Sequence, residues 1–284
     1  MRKIKVQTPA KINLTLEVLD KRPDGFHNIQ SIMHTVSLCD FLTICAEEKK
    51  SCENEIILTG TSPEIPYDER NIVYKATKLY LEKTGIKNKT ISINIEKNIP
   101  VSAGLAGGST NASGAVLGLN ELLGGKLEFG ELHKIAAVLG SDLNFCLEGG
   151  CACCTGRGEI IEKLPAADFK LSILKPKNFG ISAKEAYQRF AAMNDKSNPD
   201  NTSKMKALLK QNKFDKNLIY NSLEKAVLPY YAVLKDIKNK YQGSMMSGSG
   251  PACFLIGDVF DGVDTDLFDV FNDLTSVDFG VKVF

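Results

Sequence analysis

Two periods divide this chain into strands and helices. In KINLTLEV, apolar Ile12, Leu14, Leu16 and Val18 alternate with Lys11, Asn13, Thr15 and Glu17. That is strand spacing with one buried face, and Lys11 and Asn13 share the other. TISINIE repeats the pattern with Ile91, Ile93 and Ile95. Further strands are predicted over 29–37, 41–46 and 56–59. Between the first two strands, KRPDGFHN carries Pro-Asp-Gly turn chemistry. A helix is predicted from Asn71 to about Glu82. A second follows the next glycine-rich stretch, where Ala112, Ala115, Val116, Leu119, Leu122 and Leu123 recur every three or four residues. A third runs from Phe129 to Leu139 and stops at Gly140. SDLNFCL opens on a Ser-Asp cap signal and gives one or two turns. CACCTGRGEIIEKL reads as a strand pair around a glycine turn.

From about Lys163 the character changes. LSILK is a strand, AKEAYQRFAAM a helix, and NDKSNPDNTS a polar loop. Helices are predicted over 204–212 and 218–241. MMSGSGPACFLI reads as strand–turn–strand, LFDVFNDL as a helix and FGVKVF as a closing strand. The order β-α-α-β-α-β implies helices packed on one sheet. No repeats appear.

Composition narrows the function classes. Length 284, 43% hydrophobic and 24% charged residues suit one large or two modest soluble domains. A net charge of +1 gives no bulk case for a nucleic-acid or membrane partner. No apolar leader or span of 18 residues is present, so a cytoplasmic protein is expected. Eight cysteines in that setting read as reduced thiols. Cys151 and Cys154 form a C-x-x-C, but no second ligand pair accompanies them. The acidic residues of 258–278 do not match a calcium-loop spacing.

The chemistry concentrates in PVSAGLAGGSTNASG, Pro100 to Gly114, between a strand and a helix. A helix start offers unpaired N–H groups and the positive end of its dipole. Glycines let the backbone approach an anion closely. A phosphate chain is the natural guest; a ligand-free, close-packed turn is the alternative. The Walker pattern fails because Gly108 precedes Ser109 and Thr110, and G-x-G-x-x-G fails at Ala106.

The loop resembles that of the GHMP family of small-molecule kinases: Pro100, then Gly104, Leu105, Ala106, Gly107, Gly108, Ser109 and Thr110. PAKINLTL (9–16) and MSGSGPACF (246–254) resemble two further family motifs, in the expected order. The longer run PAKINLTLEVLDKRPDGFHNIQSI, with LGSDLNFCLEGGCACCTGRGE, is similar to those members whose acceptor is a cytidine-diphosphate-linked methylerythritol. The resemblance implies an α+β, two-domain fold, here 1–160 and 161–284, with the active site in the cleft between domains. It implies ATP as phosphoryl donor, with Mg²⁺ arriving with it; a monomer or weak homodimer is expected, though no sequence feature fixes the oligomeric state. Ala106 stands where the family usually has glycine, Phe26 where it has tyrosine, and Asn144 where it has proline.

The same resemblance assigns roles. Asp142 is the general base, although a Ser-Asp pair alone reads as a helix cap. Lys11 lies beside it, keeping the carboxylate charged and steering the attacking hydroxyl; a strand lysine alone reads as a solvated charge. Asn13 contacts substrate. His27 reads the cytosine edge, Tyr187 stacks on the base, and Phe26 serves as a lid. The loop, Pro100 and Gly104 to Thr110, cradles the triphosphate, with Ser109 near the metal. Asn71 and Lys97 lie near adenine. Gly248, Ser249 and Gly250 form the wall against the substrate diphosphate. The sequence leaves the protein ligands of Mg²⁺ open. A homoserine-type kinase, or an inactive ATP- and sugar-binding regulator on the same fold, stands as the rival.

Overall fold

A computed structural model describes residues 2–194, 196 and 198–284. Asp195 and Ser197, within the predicted polar loop, lie outside the described residues. The chain opens with two long strands, β1 (Arg2–Lys21) and β2 (His27–Glu48), paired antiparallel around the Pro23–Gly25 turn. It continues with β3 (Glu55–Gly60), α1 (Ile72–Thr84), β4 (Lys89–Glu96), α2 (Gly107–Leu122), α3 (Phe129–Leu139), α4 (Leu143–Glu148), β5 (Cys151–Gly156) and β6 (Ile160–Leu164). The remainder is β7 (Lys170–Pro176), α5 (Ala183–Ala191), α6 (Asn201–Leu209), β8 (Tyr220–Asn221), α7 (Ser222–Val227), α8 (Ala232–Lys240), β9 (Met245–Met246), β10 (Cys253–Ile256), β11 (Phe268–Thr275) and β12 (Lys282–Val283).

The strands form two sheets. The larger runs β12-β1-β2-β4-β3, with β5 on β2, β6 on β5 and β8 on β1. The smaller runs β11-β7-β10-β9. The sheets change over between Leu164 and Lys170, a few residues past the 160/161 division expected from sequence. Both β8 and β12 return to the large sheet, so its strand set is not confined to the first half.

Helices α1 to α3 cover one face of the large sheet. Ala112, Ala115, Val116 and Leu119 of α2 bury against Val6, Leu42, Ile44 and Ile93. Each large apolar side chain so buried contributes about 1.5–3 kcal/mol. Glycine sets the approach of α2: a Cβ at Gly118 would lie 2.7 Å from Ile44 Cδ1. Asn71 caps α1 by accepting from the Val73 amide, and Gly85 ends it in the left-handed region.

Three expectations need correction. First, LFDVFNDL is not a helix but β11, paired with β7. Its register shifts between Phe271 and Leu274, and Asp273 sits at φ 57°. The bulge breaks the two-residue alternation, so the apolar positions mimic helical spacing. Second, the helix over 218–241 is divided into α7, a 3₁₀ turn at Leu228–Tyr230 and α8. Pro229 has no N–H to continue the ladder. Third, the polar face of β1 is sealed rather than wet: Lys11, Asn13, Thr15 and Glu17 are all buried. The expected strand thiols Cys151, Cys153 and Cys154 are buried on β5, where burial pushes Cys151 up to about 12. Among the described residues no helix is long and apolar enough to cross a membrane.

Candidate active site

The three quoted motifs meet in space. β1 carries Lys11 and Asn13, two residues apart and therefore on one face. Lys11 Nζ donates to Asn13 Oδ1 (2.7 Å) and to the Gly104 carbonyl (3.1 Å). Ser247 Oγ donates to the same carbonyl at 3.0 Å. Asn13 Nδ2 donates to Ser31 Oγ (2.9 Å), which donates to the Thr15 carbonyl (2.6 Å). Gly104 (φ 78°) and Gly248 (φ 54°) both occupy the left-handed region. A Cβ on Gly248 would lie 3.2 Å from Lys11 Nζ and 3.0 Å from the Gly104 carbonyl oxygen. The SGSGP turn is therefore pressed against both the glycine loop and the β1 lysine. Asn221, which sequence reading missed, holds that turn by donating to the Met246 (2.7 Å) and Gly248 (2.8 Å) carbonyls.

Asp142 stands at the N-cap position of α4, yet its side chain makes no cap bond. Its Oδ2 lies 3.6 Å from Lys11 Nζ instead. The Lys11 side chain is 4% exposed and that of Asp142 32%, so the pair presents its carboxylate to the cleft. Asn144, at the second position of α4, donates to the Glu159 carbonyl (3.2 Å) and ties the helix start to the β5–β6 turn.

The pair lies on the wall of a cavity of about 1080 Å³. Pro100 and the loop from Gly104 to Ser109 line one end. There α2 begins, and its first-turn amides have no partner within the helix. Ala106 precedes it at φ 58°, a left-handed alanine. Phe26, His27 and Tyr187 line the other end; Gly248 and Ser249 lie on the wall as well. His27 and Tyr187 stack, centroids 5.7 Å apart at 19°. Phe26 is 53% exposed, and the Arg157 guanidinium lies 5.1 Å from its ring centroid. Burial and the charges of Lys21 and Lys196 hold His27 below the usual imidazole range, with Asp20 opposing.

One predicted loop residue is set back from the cavity. Thr110 is fully buried and outside the cavity wall, and its amide donates to the Ala106 carbonyl (2.9 Å). Asn71 and Lys97 do line the cavity, but their polar ends have protein partners. Asn71 caps α1 and donates to the Pro66 carbonyl (2.6 Å), while Lys97 Nζ pairs with Asp40 (2.7 Å). Sequence reading also missed Arg157, Asn111 and Ser141 on the wall. Arg157 sits in the glycine turn of TGRGE, where only the fold brings it over Phe26.

Comparisons with known proteins bear on this arrangement. A family model described as GHMP kinases N terminal domain matches residues 71–154. A 4-diphosphocytidyl-2-C-methyl-D-erythritol kinase of Caldicellulosiruptor saccharolyticus is 42% identical over 254 residues, covering 86% of this chain and 85% of the relative. One of the same name from Synechococcus sp. is 40% identical over 263 residues, covering 86% and 82%. Among solved structures, a 4-(cytidine 5'-diphospho)-2C-methyl-D-erythritol kinase superposes with TM-score 0.72 at 26% identity, covering 96% of this chain and 99% of that one. A homoserine kinase from Cytophaga hutchinsonii superposes with TM-score 0.74 at 21% identity, covering 100% and 98%. The last likeness is one of fold alone.

Proposed function

The chain belongs to the GHMP kinase family, and we propose that it transfers the γ-phosphate of ATP to the 2-hydroxyl of 4-diphosphocytidyl-2-C-methyl-D-erythritol, a step in isoprenoid precursor synthesis by the non-mevalonate route. The observation that carries this reading is the position of the Lys11–Asp142 pair. It lies on a single cavity that runs from the glycine loop to the His27–Tyr187 stack. One end suits a triphosphate and the other a flat base, with a proton acceptor on the same wall. Relatives at 40–42% identity over most of both chains carry the name of that kinase.

In this reading ATP lays its phosphates across the start of α2, against the amides of Gly107, Gly108 and Ser109. The acceptor's cytosine enters at Tyr187, with His27 at its edge and Phe26 closing over it. Its diphosphate passes Gly248 and Ser249, and its 2-hydroxyl points at Asp142. Asp142 takes the hydroxyl proton as the oxygen attacks the γ-phosphorus, and ADP leaves. Lys11 holds the attacking oxygen in line and balances charge. Among the described residues no group of three His, Cys, Asp or Glu side chains converges to hold a metal. The fit is to magnesium carried on ATP, because that ion favours phosphate and water oxygens. Ser109 would be the loop hydroxyl to touch it, and the ion would neutralise charge on the phosphates.

A coupled assay of ADP release tests this against three alcohols: the cytidine-linked substrate, methylerythritol 4-phosphate and homoserine. Turnover should require the cytidine. Equal efficiency on homoserine or on the truncated alcohol would make the protein a different GHMP kinase.

A further inference from the structure

Beneath the glycine loop lies an ion pair that the transfer step does not use. Asp40, near the middle of β2, is fully buried. Its Oδ1 accepts from the amides of Asn98 (2.6 Å) and Ile99 (2.7 Å), the residues leading into the loop. Its Oδ2 accepts from Lys97 Nζ at 2.7 Å. Lys97 Nζ also donates to the Ile99 carbonyl. On the far side of the loop, the Thr8 hydroxyl bridges the Asp40 carbonyl oxygen (3.1 Å) and Asn111 Oδ1 on α2 (2.8 Å). Entry and exit of the loop are thus tied to one residue. The ammonium lies close under the loop: a Cβ on Gly107 would lie 2.9 Å from Lys97 Nζ.

That arrangement poses an electrostatic problem. A buried carboxylate directly under an anion site repels the anion strongly, because little solvent screens it. It persists because it holds two loop amides, and buried N–H groups need acceptors. We propose that Lys97 is a positioning residue that raises ATP affinity by cancelling the charge of Asp40, and that it does not bind the nucleotide through its ammonium. The proposal rests on the reading of the loop as the ATP site. It is independent of which alcohol is phosphorylated. Burial holds the Lys97 ammonium below the usual lysine range, against the pull of Asp40.

The test is ADP binding by calorimetry, with ATP KM and kcat as companions, in Lys97→Met, Asp40→Asn and the double variant. Lys97→Met leaves the buried carboxylate alone under the phosphates. ADP affinity should fall about a hundredfold, with kcat at saturating ATP far less affected. Asp40→Asn keeps an oxygen for the Asn98 and Ile99 amides and should lose about threefold or less. The double variant should regain most of the loss and lie close to Asp40→Asn. If the double variant binds ADP tenfold or more weakly than Asp40→Asn, Lys97 contacts the nucleotide and the proposal is overturned. That comparison stands even if Lys97→Met alone does not fold. A parent that fails to bind ADP overturns the reading of the loop and this proposal together. A parent that binds ADP but ignores the cytidine-linked alcohol overturns only the proposed substrate.

Discussion

The two ends of the cleft are built on different principles. At the end proposed to react, Lys11, Asn13, Ser247 and the Gly104 carbonyl form one hydrogen-bonded knot, with Gly248 packed against it. The Lys11, Asn13 and Ser247 side chains all have protein partners there before any ligand arrives. At the end proposed to take the base, His27 stacks on Tyr187 and the Arg157 guanidinium lies over Phe26, and all four are half-buried or exposed. The difference teaches where precision is needed. Phosphoryl transfer tolerates little misplacement of the attacking oxygen, and residues proposed to direct it would need to be fixed in advance, as these are. Base recognition draws on stacking area, which the ligand itself can complete. Damage at the first end should fall on kcat, and damage at the second on KM.

The largest effect should come from Asp142→Asn. It keeps the shape of the side chain and removes the proton acceptor, so kcat should fall about 10²–10⁴-fold with ATP affinity nearly intact. Lys11→Ala should cost a similar amount, and the double variant little more, because the two act as a unit. Turnover of Asp142→Asn within threefold of the parent would remove Asp142 as the base. Additive losses would separate the pair despite their 3.6 Å contact.

At the other end, Tyr187→Ala should raise KM for the cytidine-linked substrate about tenfold, as loss of one base stack implies. ATP KM should barely move. The structure sharpens this. No third ring fits between His27 and Tyr187 at 5.7 Å, so the base must lie against one of them while the other braces it. His27→Ala and Tyr187→Ala should therefore be less than additive in KM, measured in a double-mutant cycle. Full additivity would place the base elsewhere.

A smaller effect is expected with pH. The folded state holds His27 below its ordinary value. As pH falls through about 6.5, the unfolded chain takes up a proton there before the folded chain does. Stability therefore declines on the acid side, and is unaffected by this group above it. Held below the ordinary imidazole value, His27 would present a neutral ring, able to donate and accept, to the proposed cytosine edge. KM for the cytidine-linked substrate should be flat through neutrality and rise only below the ordinary imidazole range. A rise centred at or above pH 7 would mean that His27 is charged in the working enzyme.

What the sequence made legible follows the same division. The glycine loop, Lys11 with Asn13, and the extents of α1 and α3 are local patterns, readable because period and turn chemistry act over a few residues. The 3.6 Å approach of Lys11 to Asp142 is not local. It became an expectation only through resemblance, since no spacing between positions 11 and 142 encodes it. Asn221 and Arg157 escaped notice because each is an ordinary residue until a distant turn meets it. The bulge at Asp273 and the break at Pro229 were missed for another reason: apolar spacing outvoted backbone chemistry. Gly107 belongs with these. Its contacts with Lys97 and Ile99 mean that a side chain there would disrupt the floor of the loop as well as block phosphate. Gly108, whose nearest neighbour to an added Cβ is Ile72 at 3.6 Å, is the cleaner position for testing phosphate approach.

The smallest effect concerns Ala106, where this chain places alanine in a glycine-like conformation. Its φ of 58° and ψ of 25° lie in the left-handed region, which costs an L-residue with a Cβ about 1–2 kcal/mol. Glycine removes that cost but also loosens the unfolded chain, which returns about 0.4–1 kcal/mol. The two nearly offset, so Ala106→Gly should raise stability by about 1 kcal/mol or less, roughly 2–4 °C in Tm at most. Functionally, the substitution removes a methyl group from the cavity wall at the start of α2. The phosphates gain room, and ATP KM should fall no more than about threefold. Ala106→Val is the opposing control: a β-branched residue in the left-handed region should lower Tm by several degrees and raise ATP KM. The pair of variants tests whether the nucleotide end of the cleft is as fixed as the reacting end beside it. If Ala106→Gly lowers Tm and weakens ATP binding, residue 106 is not held left-handed in solution. The loop would then need a nucleotide to set it, as the base end needs a base.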